Sequence, residues 1–181
     1  MRHSALSSLS ALSQSRGYWL GLCGLALTML AVALYYQYAL GEEPCQVCIH
    51  VRLWVVALAL VTLVCTVLPA NHWSGLLSHG LVAGTAFGLG ERAWLLYELE
   101  NGRGDSSCEF QLGMPDWFAV DQWFPSLFEV RNLCSYTPDM LFGISMAEGL
   151  LGIAVALLVI STGTLLSLLM LAKKNPRGEA A

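Results

Sequence analysis

The chain has 181 residues, of which 56% are hydrophobic and only 12% charged, with a formal net charge of -4 at neutral pH. So apolar a chain has too little polar surface to cover itself in water, which excludes an ordinary soluble domain of this size. The acidic balance argues against nucleic acid as a partner.

Residues 1–16 are Ser-rich, with Leu6, Leu9 and Leu12 three apart. A short helix lying on the membrane surface fits this pattern, but a disordered tail is the expectation. Uncharged runs follow at 17–41, 53–90 and 149–172, and Pro69, Asn71 and His72 break the second into two. A bilayer core takes about 20 apolar residues per helix. Four spans are therefore predicted, at 18–38, 49–68, 75–96 and 146–171. The first exceeds the roughly 7–15 apolar residues of a cleaved signal and is read as a retained helix. The small residues Gly17, Gly21 and Gly24, and again Gly80, Gly84 and Gly88, form stripes that predict close helix contacts within the bundle. Gly88-Leu89-Gly90 lies inside an apolar helix with no preceding strand, which excludes a dinucleotide loop.

Charge sets the expected orientation. Arg2, Arg16, Lys173, Lys174 and Arg177 lie in the two tails, whereas every acidic residue except Glu179 falls within 41–52 or 91–148. The positive-inside rule then puts both tails in the cytoplasm. The predicted class is an all-α membrane protein of the bacterial inner membrane. It is a four-helix transmembrane bundle over 18–172, with periplasmic loops at about 39–48 and 97–145 and cytoplasmic tails 1–17 and 173–181.

Glu42-Glu43-Pro44 makes the first outer turn, and Pro44 suits a helix start. Cys45, Cys48 and Arg52 then stand at i, i+3 and i+7, on one face of helix two. A helix N-terminus and a nearby cation both favour thiolate, the species that attacks disulfides. His50 points off that face and is read as an interfacial histidine without a role. Glu91 and Arg92, at the outer end of helix three, pair or snorkel there, and an intramembrane charge such as Arg92 marks a candidate functional residue. Asn101-Gly102-Arg103-Gly104-Asp105 is flexible by composition and leads to Cys108. Between Pro115 and Pro125, Trp117, Phe118, Val120 and Phe124 are read as the apolar face of a short helix on the bilayer, or else as a packed cap on the bundle.

Cys23 and Cys65 fall inside apolar helices and read as small buried hydrophobes. The other four cysteines lie outside as a short pair fixed to a helix end, Cys45 and Cys48, and a wide pair in a loop, Cys108 and Cys134. That asymmetry suggests a relay by thiol–disulfide exchange from a soluble partner inward. Exchange only moves an existing disulfide, so making a new one needs a two-electron sink. No nucleotide fold, haem motif or iron–sulfur ligand run is present, and a quinone at the membrane boundary is left by elimination, with Arg52 placed to polarise its carbonyl and Arg92 as a second candidate quinone contact. One zinc on all four outer cysteines, or two static staples on a membrane scaffold or small transporter, are the competing assignments. No metal is expected.

The chain resembles the bacterial DsbB family. The resemblance rests on Pro-Cys-x-x-Cys-Ile with Arg52 four residues after Cys48, Cys108-Glu109-Phe110, Pro115-Asp116-Trp117, Asp121-Gln122-Trp123-Phe124-Pro125, Cys134, and Phe142-Gly143 with Met146 at helix four. It implies an enzyme that reoxidises a periplasmic DsbA-like oxidase of thioredoxin fold and passes the electrons to ubiquinone or menaquinone in the membrane pool. Cys108 would form the mixed disulfide with that partner, Cys134 would attack the Cys45/Cys48 disulfide at Cys45, and Cys48 would be the thiolate facing quinone beside Arg52. Residues 116–125 resemble the family's membrane-lying loop helix. The chain departs from the family pattern at Val51, at Leu99 and at Ala147-Glu148-Gly149.

Overall fold

The computed structural model describes residues 15–69, 71–103, 111–134 and 143–174, and these are almost entirely helical. The tail 1–14 and Cys108 lie outside the described residues. Helix α1 (Arg16–Ala39) starts where the Tyr18 N–H donates to the Ser15 hydroxyl at 3.2 Å, and it ends before Gly41, whose φ of +77° turns the chain at little cost because glycine has no Cβ. Helix α2 (Gln46–Cys65) follows. Asn71 and Ser74 then bond reciprocally to open α3 (His72–Glu100). Ser145 and Glu148 cap α6 (Met146–Lys174) in the same way. These starts agree with the predicted spans to within three residues. Between α3 and α6 lie a 3-10 turn (Asp116–Phe118) and two single-turn helices, α4 (Val120–Trp123) and α5 (Pro125–Phe128).

Helix α3 packs against α6 and α2, and α1 packs against α2. Their shared core takes Trp19 and Ala26 from α1, Val55 and Leu58 from α2, Val82, Ala86 and Leu89 from α3, and Ala154 and Leu157 from α6. The outward faces remain apolar, with Leu20, Leu27, Leu60, Leu63, Phe87, Val159 and Ile160 all exposed. A helix apolar all round is stable when its outer surface meets lipid. Among the described residues three helices are long and apolar enough to cross a membrane, Arg16–Ala39, Gln46–Cys65 and Met146–Met170. Helix α3 is as long as α6, at 29 residues, but His72, Ser74, Ser78, His79, Glu91 and Arg92 dilute its apolar character.

The expected glycine contacts form at only one of the six positions. A Cβ at Gly17, Gly21, Gly24, Gly80 or Gly84 would meet nothing within 4 Å, whereas one at Gly88 would overlap the Trp54 indole. The stripes turn outward because the core is built from the neighbouring Ala and Leu positions. Gly88→Ala is therefore expected to destabilise by about 1–3 kcal/mol through overpacking, read as a lower midpoint of thermal unfolding in detergent. Gly84→Ala, with open space around the added methyl, should not lower the midpoint.

Candidate functional site

Cys45 occupies the N-cap of α2, and its sulfur accepts the Cys48 N–H at 3.2 Å. A sulfur takes the place of the usual serine or aspartate oxygen there, so the CxxC is part of the helix start itself. Both are free thiols. The Cys45 thiol is pushed up from its ordinary range, first by its hydrogen bond to the Cys48 sulfur and then by burial and by charge on that sulfur. Cys45 is thus held as the protonated member of the pair.

The backbone just before the pair is fixed from far along the chain. The Pro44 carbonyl accepts the N–H groups of Arg131 at 2.9 Å and Asn132 at 3.2 Å, and Cys45 and Asn132 form an isolated parallel bridge. Two residues on, Cys134 is buried and disulfide-bonded. It shares one apolar cluster with Cys45, Val47, Leu96 and Ala147, and Cys48 and Leu99 pack at its edge. A sulfur from the long loop is thereby brought beside the CxxC. Because Cys134 is in a disulfide, the described residues do not offer its sulfur as a zinc-binding thiolate.

Cys48 faces the other way, into a cavity of about 270 Å³ between α1, α2 and α6. Leu25, Met29, Val32, Val51, Leu150 and Ile153 give it apolar walls, Gly149 contributes bare backbone, and Glu42, Glu43 and Arg52 are its charged members. From Ala33 to Leu25 it follows α1 for roughly 12 Å, by the rise of a helix.

Arg52 is only 5% exposed and has no carboxylate on it; among the described residues the one ion pair joins Arg131 to Glu129. Its Nη1 donates to Gln37 Oε1 at 2.6 Å and to the Leu127 carbonyl at 3.0 Å, and Nη2 donates to the Ala33 carbonyl at 3.4 Å. Helix α1 and the loop helix α5 therefore meet on this guanidinium, and Tyr38 reinforces the junction by donating to the Ser126 carbonyl at 2.6 Å. Among the described residues, three of the five Arg52 N–H donors are engaged in this way.

Arg92, the second candidate quinone contact, does not line this cavity. It lies on α3 near enough to His50 for their charges to interact, on a different side of α2. His50, read from the sequence as an interfacial histidine without a role, carries a structural contact to the loop. Its Nε2–H donates to the Leu112 carbonyl at 3.0 Å, and one turn earlier Gln46 donates to the Gln111 carbonyl at 2.8 Å. These two side chains hold the start of the described loop onto α2. Replacing both with Ala removes two bonds of about 1 kcal/mol each. The amides of 118–128 should then exchange with deuterium on the order of thirtyfold faster, which hydrogen-exchange mass spectrometry would read.

Of the two readings of 116–125, a membrane-lying helix with one apolar face or a packed cap, the single continuous helix does not form: a 3-10 turn and α4 are separated at Ala119, and Pro125 opens α5. The buried side chains Val120 and Phe128 pack with Ile49 and Leu112, while Trp117, Trp123 and Phe124 remain exposed. A proline starts a helix more readily than it continues one, so the turn restarts at Pro125.

Gln37 and the Leu127 carbonyl were absent from the residues selected by sequence. The signal for Gln37 was available, since it is an amide in the uncharged run 17–41 and polar groups in such runs need a partner. No sequence pattern marks a backbone carbonyl as the acceptor for an arginine 75 residues away.

Comparison with known proteins agrees with this site. The family described as "Disulfide bond formation protein DsbB" matches residues 15–163. "Disulfide bond formation protein B" of Shewanella denitrificans is 33% identical over 144 residues, covering 79% of this chain and 82% of the relative. "Disulfide bond formation protein B 2" of Pseudomonas aeruginosa is 32% identical over 158 residues, covering 86% and 93%. "Disulfide bond formation protein B" of Photorhabdus laumondii is 28% identical over 162 residues, covering 88% and 94%. With a family match over most of its length, apolar helices of membrane-crossing length and a CxxC built into a helix start, the chain belongs to the DsbB family of membrane oxidoreductases in disulfide bond formation.

Proposed function

We propose that the chain is a protein-dithiol:quinone oxidoreductase that reoxidises a periplasmic DsbA-like oxidase of thioredoxin fold and delivers the electrons to the membrane quinone pool. The reading includes α3 as the fourth span, both tails in the cytoplasm and the cysteines Cys45, Cys48, Cys108 and Cys134 in the periplasm of an inner-membrane protein. One observation carries it: the CxxC has two sides, with Cys45 packed against Cys134 and Cys48 opening with Arg52 into an apolar cavity.

A thiolate of the reduced partner attacks Cys108, forming a mixed disulfide and leaving the electron pair on Cys134. Cys134 attacks Cys45, and the Cys45–Cys48 bond breaks with the pair on Cys48. The partner's second thiol displaces Cys108, which reclaims Cys134 from Cys45. The partner is then oxidised and Cys45 and Cys48 are reduced, with the proton of the partner's second thiol passing to Cys45 and the negative charge left on Cys48. The protonated state favoured at Cys45 suits this order, because negative charge is better left on the sulfur that Arg52 faces.

The cavity fits a quinone head. Its volume is close to the lower end of small-molecule pockets, roughly 300 Å³, and its apolar track along α1 suits an isoprenoid tail. Cys48, Arg52 and the α1 and α6 walls would hold it, and ubiquinone or menaquinone bound there would supply a two-electron, two-proton acceptor.

Thiol trapping of the purified protein, after adding reduced DsbA-like partner and quinone, tests the reading. The expected result is a transient mixed disulfide through Cys108, followed by reduced and then reoxidised Cys45/Cys48. Cysteines that never change state would instead make the protein a disulfide-stapled scaffold or small transporter.

A further inference from the structure

Arg52 is a buried cation whose three hydrogen bonds all end on neutral oxygens. The shortest, at 2.6 Å, is to Gln37 Oε1, itself only 8% exposed and the one side chain among the three acceptors. We propose that Gln37 is a positioning residue for the electron-releasing step, an amide that orients the Arg52 guanidinium while leaving its charge to act on the Cys48 sulfur. The inference deepens the quinone reading and rests on it for its kinetic arm.

The physical argument is a choice between two acceptors of one shape. Glutamine and glutamate both offer an oxygen to Nη1, and a carboxylate would make the stronger bond. It would also neutralise the guanidinium within the pair, and inside an apolar cavity that field decides whether Cys48 carries charge. The other charged or titratable groups facing this region are Tyr36, Glu42 and Glu43 on the cavity, Cys45 at the start of α2 and Tyr38 at the end of α1. None of them forms an ion pair with Arg52 among the described residues. An amide at position 37 therefore fixes direction without cancelling charge. Position 37 lies on α1 and Arg52 on α2, so the same bond also holds the cavity wall against the residue that points into it.

The test uses the full-length protein with Gln37→Glu and Gln37→Leu, and two measurements. The first is the rate at which iodoacetamide alkylates Cys48 in the reduced protein, read by peptide mass spectrometry, which needs no turnover. Measured at a pH low enough that Cys48 is mostly protonated, so that the rate follows the thiolate fraction, Gln37→Glu should slow it about tenfold, the equivalent of one pKa unit, whereas Gln37→Leu should stay within about twofold of wild type. The second is the apparent KM for a soluble ubiquinone analogue with a reduced thioredoxin-fold partner. Loss of a bond to a charged group should raise it about tenfold in Gln37→Leu, with the KM for the dithiol partner unmoved. A merely structural role predicts the reverse order, with the isosteric Gln37→Glu as the milder change. Wild-type alkylation in Gln37→Glu, or equal slowing in both variants, would overturn the inference. Should Gln37→Glu fail to accumulate, an unchanged quinone KM in Gln37→Leu overturns it alone. A wild-type protein that never reduces quinone defeats the functional reading instead, and leaves the alkylation arm to decide the role of Gln37.

Discussion

Replacing Cys48 with Ala is expected to reduce quinone turnover driven by a reduced DsbA-like partner to background, because in the proposed relay the electrons leave from the sulfur that opens into the cavity beside Arg52. The loss should be complete: without Cys48 there is no inner disulfide for Cys134 to break, and no other described thiol lines the cavity. Fold should survive, since the helix cap depends on the Cys48 backbone N–H and the Cys45 sulfur, both of which the variant retains. Stopped-flow absorbance of the quinone, with circular dichroism as the folding control, separates the two. Turnover within twofold of wild type would remove Cys48 from the path. Cys23→Ala makes the matching comparison. Its buried sulfur lies on α1, donates to the Ala59 carbonyl at 3.7 Å and does not line the cavity, so turnover should not change.

Arg52→Met should have the second largest effect, and mainly on quinone dependence. The substitution removes a charge-assisted donor from the cavity, and such bonds contribute about 1.5–3 kcal/mol. The apparent quinone KM is thus expected to rise at least tenfold. Stability should change less. Breaking the network leaves Gln37 Oε1 buried without its donor, which costs about 1–3 kcal/mol, but it also relieves the burial of an arginine that has no carboxylate partner. Arg52→Lys should fall between the two, keeping the charge and losing the planar fork that reaches Gln37, Leu127 and Ala33 together. A quinone KM equal to wild type in Arg52→Met would dissociate the guanidinium from the cavity's ligand. In the same variant, faster exchange of the α5 amides would report the lost anchor at the Leu127 carbonyl.

The elements at the centre of the site were legible wherever a local pattern controlled them. Cys45 and Cys48 stand at a helix start because Pro44 precedes them and an uncharged run follows, and both causes lie within a few residues. The helix starts at Asn71 and Ser145 depend on partners three residues away. The glycine stripes misled because a period of four marks a helical face without saying what that face meets. His50 misled for a related reason: its 100° displacement from the cysteines was correct, but its partner, the Leu112 carbonyl, is 62 residues away.

By itself the sequence determined that this is an apolar all-helical membrane chain, that one cysteine pair sits at a helix start beside an arginine, and that the pattern is that of the DsbB family, because hydropathy, capping and spacing all act over one or two helical turns. Only the tertiary structure decided which sulfur shares a cluster with Cys134, which one opens into the cavity, and that Gln37 and Leu127 hold the arginine between them. Those outcomes depend on how four long helices and a loop pack together, and contacts between residues 15 to about 90 positions apart leave no periodic trace in the chain.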